Sequence, residues 1–343
     1  MSVHRMRFRE GDLVEDVNGI IFDVKGLVHP PNRVVAFPRF IPHAEGERKR
    51  DSVRYSKVYA LSVRYGFLKE KFSEYLVQDE VFGELLCEIP ADNIKRHYCP
   101  TERLLELRSN KHPDPLEKLA LELAETLKES ANIPWNSIGV SGSILAKLHT
   151  QTSDIDPIIY GAKNCRKAYA ALGALAEDKK SPLKPYCTRA ALRKLFEFRS
   201  KDTRVSFEDF VRTESRKVLQ GTYEGHDYFI RCVKDRRETR ERYGDVHYTN
   251  VGYAKIKATV TDDSEAIFTP CTYKIEQTLT LEGTTPTGTI SEIVSFRGRF
   301  NEHARNGETV IAQGKIERAQ DKEGEEWLRL LLGNRPTDFM ILA

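Results

Sequence analysis

Leu116, Leu119, Ala120, Leu123, Ala124 and Leu127 recur every three or four residues, so one face of a helix carries them inward. Asp114-Pro115 opens that helix, with Asp114 as N-cap and Pro115 at the first helical position. Further on, Ala168, Leu172 and Leu175 form a second helical row, ended by Lys180-Ser181-Pro182. Thr188 can cap a third helix running through Phe198. Ser206-Phe207-Glu208-Asp209 opens a fourth, predicted to reach Gln220 with Gly221 as the residue past its end. Arg236 to Arg242 is a charge run of helical type, with Glu238 and Arg242 four apart.

Elsewhere the alternation has period two. Residues 12–17 and 20–24 flank Asn18-Gly19, a two-residue hairpin signal. Residues 34–41 make a third strand. Residues 44–52 form a charged loop around Arg48-Lys49-Arg50, followed by alternating basic and aromatic residues from Arg54 to Tyr59, a pattern that either contacts RNA bases and phosphates or guards an exposed strand edge with charge. Residues 221–233 read as a hairpin turning near Glu224-Gly225. From Val246 the chain is all β, with strands predicted over 252–260, 272–281, 290–296, 308–318 and 326–332. That spacing suits a small barrel, whose one basic-aromatic spot is Arg297-Gly298-Arg299-Phe300. The fold class expected is therefore α+β. A β-rich region takes 1–112, an α/β core takes 113–243, and an all-β barrel-like domain takes 244–343.

Between the first two helices lies Asn136 to Tyr160, NSIGVSGSILAKLHTQTSDIDPIIY. A short strand, 137–140, runs into a bend of small residues, Ser141-Gly142-Ser143. A second strand opens on Asp154-Ile155-Asp156. Strand residues alternate faces, so Asp154 and Asp156 point one way while Ile155 enters the core. Two carboxylates on one face repel unless a cation lies between them. Oxygen donors of this kind suit Mg²⁺, which combines one or two carboxylates with substrate phosphates. Gly142 allows a ligand close to the backbone, and Ser143 adds a hydroxyl.

This stretch resembles the DNA polymerase β-like nucleotidyltransferase superfamily, in which a Gly-Gly or Gly-Ser turn precedes an acid–apolar–acid strand by about ten residues. Gly142-Ser143 and Asp154-Ile155-Asp156 match that pattern, and the resemblance spans 113–233. Two positions depart from it. Ser141 stands where the pattern has a large apolar residue, and Pro157 follows Asp156. The whole chain also looks like an archaeal set of predicted nucleotidyltransferases with flanking β-rich regions.

The resemblance implies transfer of a nucleotidyl group from an NTP to an acceptor hydroxyl, releasing pyrophosphate. Two Mg²⁺ ions, or Mn²⁺, would be held by Asp154 and Asp156. It further implies a third carboxylate on a later strand, which ligates the metal nearest the nucleophile and helps deprotonate the attacking hydroxyl; this is assigned here to Asp227, with Glu224 as the rival. Gly142 and Ser143 would hold phosphates, with Ser153 as an extra hydroxyl. The alternative keeps the fold without turnover, as a nucleotide- or RNA-binding relative.

Charge sharpens the expected partner. Net charge is only +3, but residues 113–243 carry 24 basic against 19 acidic residues, and 244–343 carry 11 against 15. Within 163–217 the ratio is 15 to 7, which favours a polyanion and makes RNA the expected acceptor. None of the six cysteines is arranged as Cys-x-x-Cys, so a zinc ribbon is not expected. The start is charged, no apolar run reaches the length of a membrane span, and a reducing cytoplasm is the expected setting.

Overall fold

The computed structural model describes residues 8–201, 203–239 and 241–343. Helices and several separate sheets are mixed along the chain. Two compact units result. The first takes the described residues up to Gln78, then Leu85–Leu183, then the described residues from Leu219 to 239. The second takes Asp79–Glu84, Lys184–Val218 and Glu241–Ala343. Position 112, expected to divide two domains, lies inside the first unit, and position 243 lies close to the break after 240.

The first unit begins with β1 (Leu13–Asp16), β2 (Ile21–Val24), β3 (Arg33–Pro42), β4 (Arg48–Arg50) and β5 (Val53–Lys57). After α1 (Leu61–Lys71), β6 (Leu76–Asp79) and β7 (Glu84–Pro90) stand either side of the chain's excursion into the second unit. β8 (Ile94–Tyr98) then closes on β1, giving the order β4-β5-β3-β2-β1-β8. The hairpin at Asn18-Gly19 forms, but with a wider turn than two residues. The Asp16 carboxylate accepts from the backbone N–H groups of Asn18 and Ile20 at 3.0 and 2.8 Å. Gly19 takes the positive φ there, and the aspartate does the work of a second left-handed residue.

α2 (Pro100–Ser109) leads to α3 (Pro115–Ala131), where Asp114 and Glu117 form the full capping box. Leu116, Ala120, Leu123, Ala124 and Leu127 are buried along one face. Next come β9 (Ile138–Val140), the short α4 (Gly142–Leu145), β10 (Pro157–Tyr160) and α5 (Ala162–Glu177), which packs on α3. β11 (Leu183–Pro185) lies at the break between units. β12 (Gln220–Tyr223) and β13 (His226–Phe229) form the predicted hairpin, and β14 (Arg231–Val233) follows. Glu224 and Gly225 both have positive φ, 48° and 83°, as a two-residue turn that follows strand twist requires.

Two sequence expectations fail locally in this region. Gly221 lies in β12, so it ends no helix. The described residues of the 236–242 charge run form turns instead of a helix. The reason is Glu238, whose carboxylate accepts from the Ala162 N–H at 2.8 Å and caps α5. It also accepts from Asp235 N–H at 2.8 Å, closing the local chain into a turn.

In the second unit, α6 (Arg189–Arg199) starts at its Thr188 cap, and α7 (Phe207–Glu214) starts at Ser206 but stops well before Gln220. Lys217 explains the stop. It is buried and donates to Glu214 and to the Arg299 carbonyl, both at 2.7 Å, which bends the chain inward. β15 (Val246–Glu265), β16 (Cys271–Gly283), β17 (Ile290–Ser295), β18 (Thr309–Asp321) and β19 (Glu326–Leu332) close a ring in the order β15-β16-β17-β19-β18. Only β17 and β19 run parallel within it, and β20 (Phe339–Leu342) adds to β18. Its interior holds Ile256, Val260, Tyr273, Ile293, Val310 and Leu330. Phe300 is buried in that core, and Arg299 donates to Thr203 at 2.8 Å. The basic-aromatic spot is therefore structural.

Candidate active site

Three strands make the floor of the site. β9 pairs antiparallel with β10, with Val140 opposite Pro157. β14 pairs parallel with β10, with Arg231 beside Ile158. The same offset continues upstream, where Ile155 bridges Tyr228 in parallel. Ile155 N–H donates to the Asp227 carbonyl at 2.9 Å, and Phe229 N–H donates to the Ile155 carbonyl at 3.0 Å. Regular strand structure begins only at Pro157, so Asp154 and Asp156 sit on the last extended residues before β10. Ile155 is fully buried, which turns its two acidic neighbours to the opposite face. The register sets Asp227 beside Asp154 on that face, with Arg231 two strand steps further along.

The bend closes onto this face. Ser141 N–H donates to the Asp156 carbonyl at 2.8 Å. Gly142 has φ of 61°, and a Cβ there would lie 1.9 Å from Asp156 Oδ2. No side chain fits between that backbone and the carboxylate, so glycine is required twice over, by conformation and by contact. Ser143 is buried, and its Oγ has no hydrogen-bond partner. Ser153 differs. Its Oγ accepts from Thr150 N–H at 2.9 Å and from Arg48 at 3.2 Å, so this hydroxyl is committed to its own loop.

The N-terminal sheet packs against the bend. Leu13, Ile21, Phe40 and Tyr55 share a core with Leu145, Ala146 and Leu148. Ser141 Oγ donates to the Gly11 carbonyl at 2.6 Å. Arg48 and Arg50 donate to the carbonyls of Leu148 and Ala146, at 2.6 and 3.1 Å, and hold the loop between the bend and the acids. This sheet brings cations to the carboxylates. Lys57 Nζ lies 3.6 Å from Asp154 Oδ1, with the lysine side chain only 3% exposed and the aspartate 39%. Arg231 pairs with Glu10 at 3.2 Å, and Lys25 pairs with Asp23 at 2.7 Å.

The two acids titrate apart. Burial pushes Asp156 up to about 7, and the charge of Asp154 adds to the shift. Asp154 is also partly desolvated, but Lys57 and Arg39 outweigh that and hold it below the usual carboxylate range. The two carboxylates therefore differ, with the buried one favouring its protonated form and the one beside Lys57 its charged form. Paired oxygen donors of this kind, with the unpartnered Ser143 hydroxyl near by, are chemically suited to a hard divalent cation.

Asp114, Glu117 and His149 form the one group of three acidic or histidine ligands within 4.8 Å of one another among the described residues. Each is already engaged. Asp114 and Glu117 make the helix cap, Glu117 receives Arg103, and His149 Nε2 lies 2.6 Å from Asp114. Asp154, Asp156 and Asp227 do not converge to that distance. Sequence reasoning missed Arg39 and Arg231, and noted Lys57 only as part of the basic-aromatic run from Arg54 to Tyr59, not as a partner of Asp154. Arg231 had a signal, since it stands four residues after Asp227 and so shares its face. Arg39 had none locally, because packing of a different sheet carries it and Lys57 to the acids from about a hundred residues away in the chain.

Fold and site together define a two-unit α and β protein with a carboxylate pair packed beside a glycine bend. The chain is 35% identical over 338 residues to uncharacterized protein MJ1086 of Methanocaldococcus jannaschii, covering 96% of each chain, and it belongs to the same family as that protein. No protein-family model and no solved structure matches it. Among the described residues, no helix is long and apolar enough to cross a membrane.

Proposed function

We propose that this protein is a metal-dependent nucleotidyltransferase, and that the first unit holds its α/β nucleotidyltransferase core. One observation supports the reading: the Gly142 backbone lies directly against the Asp156 carboxylate, so the bend proposed to take phosphate is next to the acid pair. Asp154 and Asp156 would hold two Mg²⁺ or Mn²⁺ ions. Bound there, such ions polarise the α-phosphoryl group and stabilise the pyrophosphate leaving group. The protein's own groups do the rest. Gly142 and Ser143 seat the β- and γ-phosphates. Asp154 and Asp156 would act as the oxygen ligands that hold those ions where the triphosphate meets them. Asp227, beside Asp154 in register, takes the proton of the acceptor hydroxyl. The part of the basic stretch that belongs to the first unit, 163–183, carries five basic residues against two acidic ones and favours RNA as that acceptor.

The test is pyrophosphate release and label transfer from each NTP to total cellular RNA, in Mg²⁺ or Mn²⁺. Wild-type protein should label an acceptor, and Asp154→Asn with Asp156→Asn should abolish labelling. Full labelling by that double variant would overturn the mechanism. The ion pair between Lys57 and Asp154 favours a second reading, in which a nucleotide- or RNA-binding relative keeps the fold with its carboxylates neutralised from within. That reading expects nucleotide binding without pyrophosphate release.

A further inference from the structure

Lys57 is the end residue of β5, and its ammonium is poorly used where it stands. The side chain is 3% exposed, yet the nearest carboxylate oxygen, Asp154 Oδ1, is 3.6 Å away, beyond hydrogen-bond length. An ammonium has three donors and gains most when each finds an acceptor. Arg39 on β3 is in a similar condition. Its guanidinium makes one long bond, 3.5 Å, to the Val58 carbonyl. The two cations are held by one ring. Arg39 Cζ lies 4.6 Å and Lys57 Nζ 4.7 Å from the centre of Tyr59, which is 41% exposed.

Two cations fixed by an aromatic ring, beside a carboxylate that is itself 39% exposed and 3.6 Å from the ammonium, return little as a stability device. They make sense if a second anion completes them. We propose that Lys57 and Arg39 form the polyphosphate grip of the site, with Tyr59 as the positioning residue that sets their spacing. The inference rests on the nucleotidyltransferase reading and deepens it: the triphosphate is held from the N-terminal sheet as well as from the Gly142 bend. With a divalent cation on the Asp154 carboxylate, the Lys57 ammonium would be free to pair with a phosphate oxygen. No charge is left bare at either stage, because the lysine neutralises the acid until the cation arrives. Tripolyphosphate and NTP should therefore bind far better than AMP, whose single phosphate cannot span both cations.

The experiment measures two affinities on the full chain: Mn²⁺ alone, and ATP or tripolyphosphate with Mn²⁺ present. Lys57→Met keeps the apolar stem and removes the charge. It should weaken ATP and tripolyphosphate at least tenfold while Mn²⁺ alone binds as tightly as before or tighter, since one competing cation is gone. Arg39→Gln, at a half-buried position, should weaken the polyphosphates in the same direction and serves if Lys57→Met does not fold. Tyr59→Leu should weaken them a few-fold, and Tyr59→Phe, which keeps the ring, should restore binding. Wild-type protein that binds ATP, with Lys57→Met and Arg39→Gln binding it equally well, overturns the grip and leaves the nucleotidyltransferase reading standing. Wild-type protein that binds neither ATP nor tripolyphosphate with Mn²⁺ overturns that reading and the grip with it.

Discussion

The contact between Gly142 and Asp156 can be measured as a coupling energy. In Gly142→Ala the new methyl group must sit 1.9 Å from Asp156 Oδ2 and 2.8 Å from its Cγ. Backbone conformation adds a separate cost, since φ is 61°. Placing an L-residue in that left-handed region costs about 1–2 kcal/mol. Overpacking against the carboxylate adds roughly 1–3 kcal/mol, because Asp156 is short and cannot swing aside as a lysine tip could. The first cost depends on residue 142 alone, and the second vanishes when the carboxylate is removed. Gly142→Ala should therefore cost about 2–5 kcal/mol in the wild-type background but only about 1–2 kcal/mol in Asp156→Ala.

Fluorescence can isolate the relevant unit. The chain has two tryptophans, Trp135 in the first unit and Trp327 in the second. Urea unfolding in a common Trp327→Phe background then reports on the first unit through Trp135. A coupling of about 1–3 kcal/mol is expected from the four-variant cycle. Equal costs of Gly142→Ala in both backgrounds would refute the close approach, and with it the joining of the bend to the acid pair.

Other outcomes follow from the same structure. Asp156 is raised to about 7 from the usual 3.8, so the folded chain holds a proton that the unfolded chain releases. Its stabilising contribution is full below about pH 4 and lost as pH rises through about 7, a few kcal/mol at most at about 1.36 kcal/mol per pKa unit. Urea midpoints of Asp156→Asn should accordingly gain on wild type between those limits, and a constant gap would contradict the shift. In the second unit, buried Glu214 accepts from Lys217 and Arg199, both at 2.7 Å. Lys217→Met should cost about 3–5 kcal/mol in thermal or urea unfolding, since it strips a partner from a buried carboxylate. Asp114→Ala removes the α3 capping box and should lower first-unit stability by about 1 kcal/mol, read by the same Trp135 transition.

Local chemistry was legible in the sequence, and long-range chemistry was not. The Asp114 cap, the α3 apolar face and the Glu224-Gly225 turn were readable because each is decided by residues within one turn of another. The barrel strands were readable for the same reason, since period-two alternation survives in a closed ring with one wet face. Helical periodicity misled where a tertiary partner intervened. Lys217 is drawn inward to Glu214 and Arg299, and Glu238 is drawn to the α5 terminus.

At the site, the common face of Asp154 and Asp156 followed from alternation around buried Ile155. Its closeness to the bend followed from β9 and β10 being neighbours in the chain. The cations could not be read that way. Arg39 and Lys57 arrive from a different sheet, and only its packing through Phe40, Tyr55 and Leu145 puts them beside the acids. Ser153 was expected to add a hydroxyl for phosphate, whereas its hydroxyl receives Arg48 and Thr150.

The central claim is that the Asp154–Asp156 face and the Gly142 bend together take a metal-bound nucleoside triphosphate. Calorimetric titration of Mn²⁺ into the protein with saturating ATP tests it directly. The account predicts Mn²⁺ binding that strengthens with ATP and disappears in Asp154→Asn with Asp156→Asn, while that variant unfolds at wild-type urea concentrations or higher. Mn²⁺ and ATP binding unchanged in a folded double variant would contradict it.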